Sequence, residues 1–135
     1  MTSPSTRAPN LQTEQLLEVA RQATGLSDFG PPGFRVGLER LIEAVNRLQL
    51  TELGVQRTQA SIVGSLTARL GVWDHRLRHP EVAAEEIRSP VFVTGVPRSG
   101  TTLLFGLLAQ DADHRVPMLW ETAAPCPPPR CPCRC

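Results

Sequence analysis

The run Val91–Ala109, VFVTGVPRSGTTLLFGLLA, restricts what this chain can fold into more than any other stretch. Val91, Phe92, Val93 and Thr94 are apolar or β-branched and suit a short central strand. Pro90 precedes them, where a missing N–H does least harm. Gly95 and Gly100 bracket a tight loop, and Thr101 and Thr102 open an apolar helix running to Ala109. A strand, a glycine-bounded loop and a helix together form a phosphate cradle. Amides of the loop and first helical turn lack intrahelical partners, and the helix dipole favours an anion beside them. The spacing matches the nucleotide-binding loop G-x-x-x-x-G-K-[ST] at Gly95, Gly100 and Thr102, but Thr101 stands where that motif has its lysine. That lysine contacts the outer phosphates of a nucleoside triphosphate. The cation here is Arg98, inside the loop, whose planar fork can grip a phosphate or sulfate with two parallel bonds. The loop therefore reads as built for an anion other than a magnesium-bound triphosphate.

Pro97-Arg98-Ser99-Gly100-Thr101-Thr102 resembles the phosphosulfate-binding loop of sulfotransferases that use PAPS (3′-phosphoadenosine 5′-phosphosulfate). The longer run FVTGVPRSGTTLLFGLLAQDADHRVPMLWE is similar to the bacterial branch of that superfamily. LSDFG…FRVGLERLIEAVN and Trp73…Leu77…His79-Pro80 resemble its helical N-terminal region, so the likeness covers roughly residues 13 to 129. It implies an α/β fold: a P-loop-type strand–loop–helix preceded by an α-helical region, truncated before the rest of the parallel sheet. It also implies transfer of a sulfuryl group from PAPS, without a metal, to a small-molecule hydroxyl or amine. Pro97, Arg98, Ser99, Gly100, Thr101 and Thr102 would bind the donor, and Arg98 would face its bridging oxygen and sulfate. Glu121, in Leu119-Trp120-Glu121-Thr122, resembles the family's catalytic base; His114 is the weaker candidate. The serine and arginine that hold the 3′-phosphate in the family have no counterpart here, so the chain alone is expected to be weakly active or inactive. Two other readings remain: a P-loop kinase or NTPase-like protein, against which Thr101 argues, and a non-catalytic, truncated interaction module.

Length and charge set further bounds. A chain of 135 residues suffices for one small core. A net charge of +1 leaves no basic footprint for nucleic acid. No apolar run reaches membrane-spanning length, and residues 1–10 lack the apolar segment of a secretory signal, so a cytoplasmic location is expected. All four cysteines, Cys126, Cys131, Cys133 and Cys135, fall in the last ten residues, spaced C-x4-C-x-C-x-C. That is not the paired spacing of a zinc site, and a Pro/Cys-rich disordered tail over 126–135 is expected.

Upstream, residues 1–10 are expected to be disordered, and 11–89 form a helical region before the strand–loop–helix of 90–125. Helices are predicted from Leu11 to Ala23, with Gly25 as stop, and from Phe34 to Leu48. A third is capped by Thr51, with Leu53, Val55, Ile62, Val63, Leu66 and Leu70 as its inner face, and a break is expected near Gly54 or Gly64. A separate helical segment is expected around Val72–Leu77, ending at His79-Pro80, and a short one between Glu81 and Ile87. Ser27–Gly33 is a loop of turn residues. His75 and His79 read as surface or capping histidines.

Overall fold

The computed structural model describes residues 6–123, 125 and 126. The chain divides into two compact units, Met1–His79 and Pro80–Cys135. The first contains a two-residue strand β1 (Thr6–Arg7) and helices α1 (Thr13–Thr24) and α2 (Phe34–Asn46). A second two-residue strand, β2 (Leu50–Thr51), leads into helix α3 (Glu52–Arg78). The second unit contains α4 (Glu81–Ala84), α5 (Thr101–Leu108) and α6 (Leu119–Ala123).

Each helix of the first unit buries the stripe that its apolar spacing defines. From α1 come Leu16, Leu17 and Ala20; from α2, Leu38, Ile42 and Val45; from α3, Ile62, Leu66 and Leu70. Leu11 and Phe29, from the flanking segments, complete the cluster. Gly25 ends α1 at φ 69°, in the left-handed conformation, and its N–H donates to Arg21 O at 2.8 Å. Thr51 caps α3, its Oγ1 accepting from Gly54 N–H at 3.1 Å.

Several expectations change. The third helix does not break at Gly54 or Gly64: α3 runs unbroken for 27 residues and absorbs the segment expected separately at Val72–Leu77. A helical glycine costs about 1 kcal/mol, and the buried Ile62 and Leu66 on either side of Gly64 outweigh that cost. Leu53, expected inside, is exposed in the first turn of α3. Within the segment expected to be disordered, Thr6–Arg7 pairs antiparallel with Leu50–Thr51, Thr6 opposite Thr51 and Arg7 opposite Leu50. The side chain of Asn46 secures the chain that follows. It accepts from Leu11 N–H at 3.0 Å and donates to Leu11 O at 2.9 Å, as a neighbouring strand would.

The loop between α1 and α2 is fastened to α3. Asp28 accepts from Gly30 N–H at 2.8 Å and from Trp73 Nε1–H at 2.9 Å. Arg69 donates to the carbonyls of Phe29 (2.8 Å) and Pro31 (3.2 Å), and its guanidinium lies 4.3 Å from the centre of the Phe34 ring. Gly30, at φ 74°, lies flat on the indole: a Cβ there would come within 2.5 Å of Trp73. No other residue could take both that backbone conformation and that approach.

The strand expected at Val91–Thr94 is absent. Residues 91–95 have no regular secondary structure, and Val91 and Phe92 are exposed. A strand exists only through hydrogen bonds to a neighbour, and no described residue of the second unit supplies one. The described residues are thus predominantly helical, with a single two-stranded ribbon in the first unit. Among them, no helix is long and apolar enough to cross a membrane. Of the cysteine-rich tail only Cys126 is among the described residues; Cys131, Cys133 and Cys135 lie outside them.

Candidate anion-binding loop

The loop between residues 95 and 102 is built around a reverse turn. Ser99 N–H donates to Val96 O at 3.2 Å, closing Val96-Pro97-Arg98-Ser99. Proline locks φ near −65° at the second position, and Arg98 follows at φ 67°. That combination is a type II turn, whose third position normally calls for glycine. An L-residue there costs about 1–2 kcal/mol, so the loop holds its one cation in a strained backbone conformation. Arg98 is exposed and makes no ion pair with any described residue. In the same unit, Arg88 pairs with Glu86 and Arg115 with Glu121.

Both bounding glycines are required by the geometry. A Cβ on Gly95 would lie 2.4 Å from Ser99 Oγ and 3.0 Å from Thr101 Cγ2, so the loop folds back over its own first residue. Gly100, at φ 85°, is the residue from which α5 starts, and its carbonyl accepts the first intrahelical bond, from Leu104 N–H at 3.0 Å. No side chain among the described residues caps the amides of Thr101, Thr102 and Leu103, and no acidic residue lies in the first turn. The structure therefore brings Gly95, Ser99 and Thr101 into contact, next to Arg98, at the electropositive end of an uncapped helix.

Glu121 is engaged elsewhere. Its Oε1 accepts from Arg115 Nη2–H at 2.6 Å and its Oε2 from Met118 N–H at 2.7 Å. Met118 immediately precedes α6 and Glu121 is the third residue in, so the carboxylate reaches back to the amide of the capping position, half of a capping box. Its side chain is 25 % exposed. Arg115 is not apparent as a partner in the sequence, because the five residues between the two include Pro117 and no helical spacing connects them.

His114 belongs to a solvated turn, as its neighbours suggest. Its Nδ1 lies 2.9 Å from Asp111 Oδ2, while Asp113 N–H donates to Asp111 Oδ1 at 3.0 Å. These contacts hold the Asp111 carboxyl below its ordinary value, the amide of Asp113 contributing most and the bond to His114 next. His79 caps the C-terminus of α3, its N–H donating to His75 O at 2.9 Å. Among the described residues no group of three or more His, Cys, Asp or Glu side chains gathers as a metal site.

Comparison with known proteins places this loop in a wider context. The model of the Sulfotransferase family matches residues 90–131, a span that includes the loop, α5 and Glu121. The crystal structure of sulfotransferase STF1 from Mycobacterium tuberculosis H37Rv superposes with a TM-score of 0.79 at 33% identity, over 88% of this chain and 33% of that one. Sulfotransferase STF9 from Mycobacterium avium gives 0.76 at 32% identity, over 90% of this chain and 31% of its own. No match was found among curated protein sequences. The chain spans about a third of the length of these solved relatives. The loop's matched family model and the likeness of nearly the whole chain to two sulfotransferases agree on the sulfotransferase family as the one this chain is similar to.

Proposed function

We propose that residues 95–102 hold the phosphosulfate of PAPS, and that this chain is the donor-binding portion of a sulfuryl transferase acting on a small-molecule hydroxyl or amine. The observation that carries this reading is a helix start and a guanidinium side by side, neither engaged by a side chain of the described residues, in a loop that folds so tightly that Gly95 admits no side chain. In this reading the amides of Ser99 to Thr102 take the 5′-phosphate. The hydroxyls of Thr101 and Thr102 add donors, Pro97 sets the turn, and Arg98 neutralises charge on the bridging oxygen as the sulfur–oxygen bond breaks. The donor has no triphosphate to neutralise, so the chemistry requires no metal.

Glu121 is the candidate to receive the acceptor's proton as the new oxygen–sulfur or nitrogen–sulfur bond forms. Arg115 and the Met118 amide would then orient its carboxylate. In the same proposal the chain binds donor but turns it over weakly or not at all, since a 3′-phosphate grip is not recognisable in its sequence.

Calorimetric titration with PAP, the desulfated donor, tests the loop. Arg98→Ala removes a charge-assisted contact of about 1.5–3 kcal/mol, so affinity should fall roughly ten- to a hundredfold with the circular dichroism spectrum unchanged. Equal affinity in the variant overturns the proposal, as does tighter binding of magnesium-ATP than of PAP. For the base, Glu121→Gln should suppress any measurable transfer while sparing PAP affinity.

A further inference from the structure

We propose that the C-terminal end of α3 carries a two-histidine chelate for a borderline divalent metal ion, with His75 and His79 as its ligands. The residues are four apart, the spacing that brings two imidazoles over one face of a helix and that helical metal sites use. The register is held by the backbone, through the His79 N–H to His75 O bond of 2.9 Å. The ring centroids are 4.3 Å apart and the planes differ by 33°. Two metal–imidazole bonds of about 2.0–2.1 Å span at most about 4 Å between ligand nitrogens, so small side-chain rotations bring one nitrogen of each ring onto a common ion.

The surroundings favour this use of the pair. His75 is half-buried and His79 exposed, so the site opens to solvent, and water would complete the coordination. The two flanking arginines are occupied: Arg78 pairs with Asp74, and the Arg76 guanidinium lies 5.8 Å from the Trp73 ring centre. With only two protein ligands the site is an exchangeable one, selective for ions that favour imidazole, in the rising order nickel to copper. Binding also joins the last turn of the helix to its capping residue, so an occupied site resists fraying there. The site lies in the first unit and makes no demand on the anion-binding loop, so the two proposals stand or fall separately.

The test uses the full chain carrying C126S, C131S, C133S and C135S, which removes competing thiolates. Nickel chloride and copper sulfate are titrated in by calorimetry. One ion per chain is expected, copper tighter than nickel, with affinity reduced tenfold or more in His75→Gln and in His79→Gln and unchanged in His114→Gln. Nuclear magnetic resonance on the parent protein gives a reading that needs no variant: substoichiometric nickel should broaden the imidazole signals of His75 and His79 before those of His114. Undiminished affinity in both variants, broadening that reaches His114 first, or no saturable binding up to millimolar metal overturns the inference.

Discussion

The two units treat apolar residues in opposite ways. In the first, every member of the core cluster lies between Leu11 and Leu70, and three amphipathic helices supply most of it. In the second, Phe92, Val96, Leu103, Leu107 and Leu119 are all more than 60% exposed. The difference is one of pattern. Helices with a stripe can close a core among themselves. Helix α5, TTLLFGLL, has no polar face, and a helix apolar all round belongs inside something larger. The family places that segment in proteins about three times as long. The chain thus joins a unit that completes its own core to one that leaves its apolar residues exposed.

Paired substitutions give the largest effect by which to break that comparison. Leu17, fully buried, should cost about 2–5 kcal/mol when cut to alanine. Leu107→Ala should move stability by no more than about 0.5 kcal/mol. Similar losses in both, read by urea denaturation, would show that α5 is packed in solution. Gly30→Ala comes next. It combines a positive φ with overpacking against Trp73, and a loss of about 2–4 kcal/mol is expected, together with a change in indole fluorescence. Thr51→Ala removes the cap of α3 and should cost about 1 kcal/mol.

The smallest effect lies in the second unit, at Asp111. Its folded-state value is depressed, so its contribution to stability is present above the ordinary value of 3.8 and is lost as pH falls through the lower folded value. Carboxyl resonances should titrate with a midpoint below 3.8. His114→Ala should raise that midpoint only in part, because the Asp113 amide is the larger cause.

How much of this was legible beforehand follows from the range of the interactions involved. The stripes of α1, α2 and α3, the stop at Gly25 and the cap at Thr51 are local, and each could be read from spacing within a few residues. The strand at Val91–Thr94 was misread because β-propensity describes a residue's fitness for a sheet and cannot supply the neighbour. The β1–β2 ribbon was missed for the converse reason: two residues carry no pattern, and their partner lies more than forty positions away. At the candidate site the two glycines and Arg98 could be named from the motif. The left-handed turn at Arg98 could not, since proline at the preceding position is compatible with type I as well as type II. The capping role of Glu121 was open to reading from its place after Met118, but its ion pair with Arg115 was not.

The order of the core along the chain bears on biosynthesis. Leu70 is the last residue the helical cluster requires, and at roughly 5–20 residues per second the ribosome needs a few further seconds to reach α5. Helical domains of local connectivity settle within micro- to milliseconds. Nascent residues up to His79 therefore have time to fold before α5 has emerged from the ribosome. The greasy segment is the late arrival, so chaperone capture and proteolytic nicking should concentrate after Pro80, sparing the part already made.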